Sequence, residues 1–346
     1  MGEQRHTVSL QPSGRTFEVE PGEAILVSAL RERISLPYGC RMGTCRTCRG
    51  KVVAGSVDHA DSHPSYLPES ARAEGYALLC RARPLSDVTV EIEELPPLPE
   101  PQMAQALLKR TKALADDVLW LNLRLPLHLN LRFAAGQYLD LILSDGTRRS
   151  YSIANAPRLE GAIDLELHVR HLPGGRFTDP LFAGEIKSRM MFDFEGPLGT
   201  FYLRDGDKPV VLLATGTGYA PLRSILLDTL TRGDQRSFTL YWGGRTEADI
   251  YAVQEIAELA AAHPNFRFVP VLSRATLENG WQGRTGYVQH AVKADLPDLS
   301  GHEVYACGSP RMIDAARAEF ADACGLPADA FFADSFVTEA DKAAAV

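Results

Sequence analysis

The sequence predicts a protein of three domains: an α+β domain, an antiparallel β-barrel and an α/β domain with a parallel sheet. A proline-rich stretch, Glu94–Pro101, indicates a semi-rigid linker, because proline lacks the N–H group that helices and sheets use. Beyond this linker a strand-rich region gives way, near residue 206, to strands that alternate with helices. The predicted domains are residues 1–95, 102–205 and 206–346.

The elements of the first domain follow from its hydrophobic pattern. Polar and apolar residues alternate in Thr7–Leu10 and in Thr16–Val19, and the turn residues between them predict a two-stranded hairpin. Apolar residues then recur at helical spacing in Ala24–Arg33, which predicts one helix. A segment rich in cysteine follows this helix.

The two later domains differ in their periodicity. Gln137–Leu143 and Ile163–Val169 have the pattern of strands, and Ser144–Thr147 has the composition of a hairpin turn, so the second domain is predicted to be antiparallel. In the third domain, strands and helices alternate as in βαβ units, which predicts a parallel sheet. The predicted strands are Val210–Ala214, Phe238–Trp242, Arg267–Leu272 and Glu303–Cys307, and the predicted helices lie near Pro221–Thr231, Tyr251–Ala262 and Arg311–Ala323.

Four cysteines have the spacing of a ligand set for a [2Fe–2S] cluster. They are Cys40, Cys45, Cys48 and Cys80. The pattern C-x4-C-x2-C followed by a remote cysteine is the plant-type arrangement, and Gly39 and Gly43 relieve crowding where the backbone wraps around the inorganic core. A structural zinc site normally uses two short pairs, of which only one is present. A disulfide framework is disfavoured in a long chain with six cysteines.

Three further motifs have the composition of phosphate-binding segments. In Val210–Pro221 an apolar strand runs into Gly216 and Gly218 and then into a predicted helix, which allows the backbone to approach a pyrophosphate. Arg149–Ser152 combines a residue that grips phosphate, an aromatic ring and a hydroxyl group. The turn His171–Thr178 offers backbone N–H groups to a second phosphate. Taken singly, each motif is also compatible with an ordinary turn or strand end.

The overall composition narrows the class of protein. The net charge of −8 disfavours a role in binding nucleic acid. No apolar run approaches the roughly 20 residues of a membrane span, and the first residues lack the apolar core of a signal peptide. We therefore expect a cytoplasmic protein without a membrane or nucleic-acid partner.

Together the motifs resemble the ferredoxin–NAD(P)-reductase-like flavoproteins with a fused N-terminal plant-type ferredoxin, over nearly the whole chain. The resemblance implies a β-grasp ferredoxin domain, a β-barrel that binds FAD and an α/β domain that binds NADH, with NADPH as the second possibility. The domain order is similar to that of reductase components of ring-hydroxylating oxygenases, especially those for terephthalate and related aromatic acids. This implies a separate terminal oxygenase, or an intermediate ferredoxin, as the electron acceptor. CDP-6-deoxy-glucoseen reductases share the layout, so that alternative stays open; an iron–sulfur redox sensor would need neither nucleotide motif.

The resemblance also implies the site residues. The residues implied to bind the flavin are Arg149, Tyr151, Ser152, His168, Val169, Gly174, Gly175, Arg176 and Thr178. The residues implied to bind the nicotinamide coenzyme are Gly216, Thr217, Gly218, Pro221 and Gly308. Cys307 is implied to lie beside the nicotinamide, and Phe336 to cover the flavin ring, as catalytic residues.

The choice between the two coenzymes is predicted from the segment after Phe238–Trp242. Glu247 and Asp249 have carboxylates that accept hydrogen bonds from a ribose diol and repel a 2′-phosphate. Arg245 has the opposite tendency, because arginine binds phosphate. The two acids are expected to outweigh the arginine, so NADH is the predicted coenzyme.

One departure from the family pattern concerns the cysteine loop. Members of the family often have glycine directly after the second cysteine, and this chain has Arg46. With Arg41, Arg49 and Lys51 it forms a basic rim in an acidic protein, which is expected either to steer an acidic partner or to be simply a solvated surface.

Overall fold

A computed structural model describes residues 4–275 and 280–337 of the chain. The described residues form two compact units. Among the described residues, the first unit contains residues 4–98 and 334–337, and the second lies within Pro99–Ala333. Each unit has its own buried hydrophobic core.

The first unit is built on a five-stranded sheet with the strand order β2-β1-β7-β3-β5. The strands of this unit are β1 His6–Gln11, β2 Thr16–Val19, β3 Arg49–Ala54, β4 Val57–Asp58, β5 Tyr76–Leu78, β6 Arg83–Pro84 and β7 Val88–Glu91. Its helices are α1 Ile25–Arg31 and α2 Glu69–Ala73. β1 pairs antiparallel with β2 and parallel with β7, while β4 and β6 form a separate pair. Helix α1 buries Ile25, Leu26 and Ala29 in the core of the unit. This packing fixes the position at which the following loop begins.

The second unit begins with an antiparallel sheet of six strands in the order β11-β10-β13-β8-β9-β12. Its elements are β8 Gln102–Ala115, β9 Val118–Arg124, β10 Tyr138–Ile142, β11 Arg148–Ser152, β12 Asp164–Arg170, α3 Thr178–Phe182 and β13 Met191–Leu198. A bridge between Ile153 and Leu167 brings the chain beyond β11 against β12, the two ends of the strand order. Phe194, Leu139 and Leu167 are fully buried in the core of this sheet.

The remainder of the chain forms a sheet with the strand order β17-β16-β15-β14-β18-β19. Its strands are β14 Val210–Thr215, β15 Phe238–Gly244, β16 Phe266–Leu272, β17 Arg284–Thr285, β18 Glu303–Gly308 and β19 Phe331–Ser335. The helices between them are α4 Tyr219–Arg232, α5 Val253–Ala262, α6 Val288–Asp295 and α7 Pro310–Cys324. The pairs of β14 with β15 and β18, and of β16 with β15 and β17, are all parallel. β14 therefore lies inside the sheet, and the turn after it opens at the carboxyl edge, where α/β proteins bind ligands.

The strands and helices predicted from the sequence are confirmed, with small shifts at their ends, but other elements of the structure were not predicted. The predicted hairpin, the antiparallel region and the parallel sheet are all present, and the segment Glu94–Pro101 contains neither helix nor strand. Helix α5 begins at Val253 rather than Tyr251. Helix α6 was not predicted, because half of its eight residues are polar or charged and no side chain caps its N-terminus. Among the described helices, none has the length and apolar character needed to cross a membrane.

Candidate cofactor-binding sites

The cysteine loop lies between α1 and β3 and arranges backbone N–H groups around a sulfur atom. The N–H groups of Met42 and Cys45 donate to Cys40 Sγ at 3.3 and 3.4 Å. The hydroxyl of Thr44 donates to the same sulfur at 3.3 Å. The hydrogen bond from the Cys45 thiol, more than any other contact, lowers the pKa of Cys40 to about 5. Donors converging on a sulfur that favours its thiolate form are what an iron ligand requires.

The other two cysteines form a second pair within the same unit. Cys48 and Cys80 are buried, and Cys80 lies two residues after the end of β5. A hydrogen bond to the Cys80 sulfur raises the pKa of Cys48, and the same contact lowers the pKa of Cys80. Cys40 interacts electrostatically with Cys80, so the Cys40–Cys45 pair and the Cys48–Cys80 pair lie near each other.

The arrangement of thiols fits a two-iron core. Within residues 4–275 and 280–337, no three His, Cys, Asp or Glu side chains are grouped as ligands of one metal ion. The six cysteines are free thiols. The Cys40–Cys45 and Cys48–Cys80 pairs would supply the four thiolates that a [2Fe–2S] cluster takes.

Left-handed backbone conformations shape the cysteine loop. Gly43 has φ +79°, and a Cβ atom there would lie 2.9 Å from the side chain of Arg81. Arg41 and Arg46 also have positive φ values, of 56° and 64°. The position of Arg46 is the one at which the family often has glycine, and the left-handed φ supplies the reason. Arginine adopts this conformation at a cost of about 1–2 kcal/mol.

Asp334 is a neighbour of this loop that the sequence analysis missed. Its Oδ1 atom lies 3.3 Å from the position that a Cβ atom on Gly39 would take. Burial, and secondarily the charge of Cys40, raises the pKa of this carboxyl to about 7. The residue is nearly 300 positions from the loop in sequence, so no local pattern indicates the contact.

Strand β11 carries the first of the residues implied to bind flavin. Tyr151 packs on Phe177 with ring centroids 5.6 Å apart, and burial raises the pKa of its hydroxyl. Arg149 is half-buried and donates to the backbone oxygen of Arg148 at 2.9 Å. Ser152 is buried at the end of the strand.

Strand β12 ends in His168, Val169 and Arg170, of which the first two belong to the predicted set. The Nδ1 atom of His168 lies 3.0 Å from the hydroxyl of Tyr251, a residue of the turn before α5. Burial, with Arg223 nearby, lowers the pKa of His168 to about 3. The ring is therefore neutral at physiological pH and is engaged in a contact inside the unit. Val169 is fully buried.

The turn after β12 is closed by its own side chains. The hydroxyl of Thr178 donates to the carbonyl of Leu172 at 2.9 Å, and a Cβ atom on Gly175 would lie 2.2 Å from this hydroxyl. Gly174 has φ +79° and open space around it, while its N–H donates to Asp179 at 2.9 Å. Arg176 is paired with Asp145 and is two-thirds exposed. The turn is thus preformed, and the open side of Gly174 is where a ligand has room.

The glycine turn after β14 packs closely on the end of β18. A Cβ atom on Gly218 would lie 2.1 Å from the carbonyl oxygen of Cys307, and one on Gly308 would lie 2.4 Å from Thr215 Oγ1. Gly216, at φ +55°, and Thr217 form a short 3-10 turn into α4, whose first turn contains Pro221. The predicted residues of the two segments are therefore brought together. Cys307 itself is fully buried, and Phe336 follows β19 and is half-buried.

The segment after β15 lines a cleft of about 520 Å³. The cleft is lined by Leu114, Ala115, Asp116, Asp117, Arg245, Thr246, Glu247, Ala248, Asp249, Tyr251 and Arg274. One wall is therefore the turn between β8 and β9, and the other is the loop after β15. Glu247 is exposed at this cleft.

The prediction that Asp249 offers its carboxylate to a ribose is not supported by its contacts, because that carboxylate is already engaged. It accepts hydrogen bonds from the N–H groups of Arg245 and Thr246, at 2.9 and 3.0 Å, and from the Arg245 guanidinium at 3.1 Å. Burial raises its pKa, but the hydrogen bond from Arg245 and those from the backbone prevail and lower it.

Arg170 is a further residue that the sequence analysis did not select. Its Nη1 atom lies 3.0 Å from the position of a Cβ atom on Gly216. Its guanidinium is paired with Asp117 at 3.2 Å and with Asp249 at 3.7 Å. Its Nε and Nη2 atoms are buried and make no hydrogen bond of good geometry. A basic residue directly after His168 and Val169 was the available signal, whereas its acidic partners come from distant segments.

Comparisons with known proteins match these regions in the same order. The chain matches the 2Fe-2S iron-sulfur cluster binding domain over residues 8–85. It matches the oxidoreductase FAD-binding domain over residues 105–202 and the oxidoreductase NAD-binding domain over residues 212–318.

Relatives of known activity align over almost the whole chain. A CDP-6-deoxy-L-threo-D-glycero-4-hexulose-3-dehydrase reductase of Yersinia pestis is 40% identical, covering 95% of this chain and 98% of its own. The reductase component of a Pseudomonas phenol 2-monooxygenase is 37% identical, covering 98% and 96%. Among solved structures, a cytochrome P450 reductase of Amycolatopsis is 34% identical with a TM-score of 0.78, covering 96% of this chain and 99% of that one.

Proposed function

The chain belongs to the family of reductases that join a 2Fe-2S domain to FAD-binding and NAD-binding domains, and we propose that it supplies electrons to a separate terminal oxygenase acting on an aromatic ring. It is an NAD(P)H-dependent oxidoreductase in which electrons pass from the nicotinamide through FAD to the [2Fe–2S] cluster. When bound, the coenzyme would supply a hydride, the flavin would exchange electron pairs for single electrons, and the cluster would carry single electrons. The protein holds these groups and sets their surroundings.

The observation that carries the proposal is the presence of both a cysteine site and a nucleotide turn in a chain similar to an aromatic-oxygenase reductase throughout its length. A cysteine site alone would also serve a redox sensor. The FAD-binding and NAD-binding domains are what a reductase needs in addition.

The finer architecture is part of the proposal. The parallel pairing of β1 with β7, with α1 packed on the sheet, supports a β-grasp arrangement over residues 1–95. The bridge between Ile153 and Leu167 supports closure of the second sheet into a barrel within residues 102–205. The parallel sheet supports a nicotinamide domain over residues 206–346.

For the flavin, the proposed contacts are drawn from β11, β12 and the turn after them. Arg149 is a half-buried cation for a phosphate, and Tyr151 is a ring surface for the flavin. Gly174, with open space around it, lets a phosphate approach the backbone of the turn. His168 contributes through its backbone, because its ring is bound to Tyr251.

For the coenzyme, the proposed site is the glycine turn together with the end of β18. Gly218 is in close contact with Cys307, so the two segments lie side by side. One molecule of the coenzyme is therefore proposed to contact both segments. Arg170, next to Gly216, adds a positive charge for the pyrophosphate. Glu247 is proposed to accept hydrogen bonds from the ribose at the cleft.

A second candidate acceptor is a sugar dehydrase. The specific observation in its favour is the 40% identity to the Yersinia pestis reductase over 333 residues. The three cofactors would be the same, and only the protein that takes the electrons from the cluster would differ.

Acceptor reduction tests the proposal. The purified holoenzyme with NADH is mixed, without oxygen, with the oxygenase component of a phenol hydroxylase, with an oxygenase-linked ferredoxin, or with a hexulose dehydrase. We expect the oxygenase or its ferredoxin to be reduced at least about tenfold faster than the dehydrase. Faster reduction of the dehydrase would assign the chain to sugar metabolism, and no reduction of any of them would contradict both candidates.

A further inference from the structure

We propose that Asp249 sets the preference for NADH over NADPH by holding Arg245, and not by contacting the ribose. The inference rests on the proposed nucleotide function and assigns a specificity-determining role inside the cleft. Asp249 is a positioning residue in this account, because it acts on the coenzyme through another side chain.

The contacts of Asp249 leave little of its carboxylate for a ligand. One oxygen, Oδ2, accepts the N–H groups of Arg245 and Thr246, and the other, Oδ1, accepts the Arg245 guanidinium. Arg170 approaches the same Oδ1 at 3.7 Å. The Asp249 side chain is only 10% exposed. A carboxylate has about four acceptor positions, and Arg245 and Thr246 direct five hydrogen bonds to this one, the two longest coming from Arg245 Nε at 3.4 Å and Thr246 Oγ1 at 3.5 Å.

Arg245 is the group that a 2′-phosphate would otherwise meet. Its side chain is 59% exposed and lines the cleft, yet its guanidinium is paired with Asp249. A guanidinium binds phosphate well when it is uncommitted, because its donors match two phosphate oxygens. When it already holds a carboxylate, binding phosphate exchanges one anion for another, so the 2′-phosphate gains little. NADH lacks the 2′-phosphate, so the pairing of Arg245 with Asp249 does not reduce its affinity.

The other charges of the cleft do not reverse this balance. Arg274 is the second cation of the lining, and its N–H donates to the carbonyl of Arg245 at 2.9 Å. Asp116, Asp117 and Glu247 are the remaining acids. A phosphate entering the cleft therefore meets one paired arginine, one other arginine and three carboxylates.

The test measures kcat and KM for both coenzymes with the holoenzyme and ferricyanide as acceptor. Asp249→Asn keeps an oxygen for the backbone N–H groups but releases the guanidinium of Arg245. We expect kcat/KM for NADPH to rise about tenfold, mainly through KM, while the value for NADH stays within about twofold. Asp116→Asn is the matched control, since it removes the same charge from the same cleft without releasing an arginine, and should change the NADPH value less than about threefold.

The double variant distinguishes an effect of Asp249 through Arg245 from a direct contact of Asp249 with the ribose. Arg245→Gln alone should change kcat/KM for either coenzyme by less than about threefold, because the arginine is already committed. In the double variant Asp249→Asn/Arg245→Gln, the gain for NADPH should disappear. The fragments 2′,5′-ADP and 5′-ADP, titrated by calorimetry, should show the same pattern, with only 2′,5′-ADP gaining affinity in Asp249→Asn.

Three results would overturn the inference. The first is a tenfold loss of NADH efficiency in Asp249→Asn, with Arg245 present or replaced, since this would show a direct ribose contact. The second is a tenfold loss of NADPH efficiency in Arg245→Gln alone. The third is an unchanged ratio of kcat/KM for NADPH to kcat/KM for NADH in Asp249→Asn. If Asp249→Asn folds poorly, the Arg245→Gln variant still tests the inference, because it leaves the hydrogen bonds from the backbone N–H groups to Asp249 in place. A wild-type holoenzyme that oxidises neither coenzyme would instead contradict the proposed function.

Discussion

The cysteine loop, residues 39–49, and the glycine turn, residues 215–221, differ in what fixes their shape. The cysteine loop contains almost no regular structure and depends on left-handed residues and on contacts to sulfur. The glycine turn is held between the ends of β14 and β18, where no room is left for a methyl group on Gly218. A substitution in the first region should therefore act on the bound group, whereas one in the second should act on packing.

The largest expected effect is that of Cys45→Ser. Removing one thiolate should abolish the cluster, because serine is a poor iron ligand in this set. NADH-dependent reduction of ferricyanide should stay within about twofold, since the residues matched to the FAD-binding and NAD-binding domains, 105–202 and 212–318, lie in the other unit. Reduction of cytochrome c, which takes single electrons, should fall by more than about a hundredfold.

The control for that variant is Cys324→Ser, the same chemical change at a buried cysteine of α7. It should keep the iron content and the cytochrome c activity. Equal loss of both activities in Cys45→Ser would show that the two regions do not act separately.

Gly218→Ala should be the most damaging change in the glycine turn. The new methyl group would lie 2.1 Å from the carbonyl of Cys307, and backbone cannot move aside as a flexible side chain can. We expect a loss of about 3 kcal/mol in the free energy of unfolding and a rise in KM for NADH of about tenfold. Gly301→Ala, where a Cβ atom meets nothing within 4 Å, should change neither. A Gly218→Ala protein with normal stability would show that the turn is loosely held.

Protonation of His168 should lower the stability of the second unit at acidic pH. Its pKa is about 3 in the folded protein, below the ordinary value of 6.5, so the unfolded chain binds the proton first as the pH falls. The stability is complete above about pH 6.5 and declines between that pH and about pH 3. Between pH 6.5 and pH 5.5 the wild type should lose about 1 kcal/mol more than His168→Gln. Urea unfolding at the two pH values measures this difference, and parallel losses in the two proteins would contradict the buried, neutral ring.

Arg46→Gly should give the smallest effect, and it should be favourable. Glycine removes the cost of a left-handed arginine but adds freedom to the unfolded chain, which leaves a net gain of about 0.5–1 kcal/mol. Arg49→Gly, in strand β3, removes the same charge and should instead cost about 0.5–1 kcal/mol. Loss of the cluster's visible absorbance on heating measures both, and a destabilised Arg46→Gly would mean that the arginine side chain contributes more than its backbone costs.

The sequence predicted the parts of the molecule that depend on residue type at fixed spacing. Short-range sequence patterns are sufficient to indicate the four cysteines, the glycine turn and the unusual Arg46. Arg46 illustrates the limit, since the sequence indicated a departure from the family but not the left-handed φ that explains it.

Contacts between distant segments could not be predicted in this way. The pairing of Arg170 with Asp117 and Asp249 joins three positions that are each more than fifty residues apart. The contact of His168 with Tyr251 is of the same kind. Asp249 shows the consequence: its residue type suggested a ribose ligand, and only its neighbours show that the carboxylate is engaged with Arg245.

An anaerobic titration with NADH tests the central claim most directly, because it counts the electrons that the chain accepts. One FAD and one [2Fe–2S] cluster together take about three electrons, so the holoenzyme should consume about 1.5 equivalents of NADH per chain and bleach both absorbances. Cys45→Ser should stop at about one equivalent. A wild-type titration that ends at about one equivalent, with the cluster still oxidised, would contradict electron transfer from the coenzyme through the flavin to the cluster.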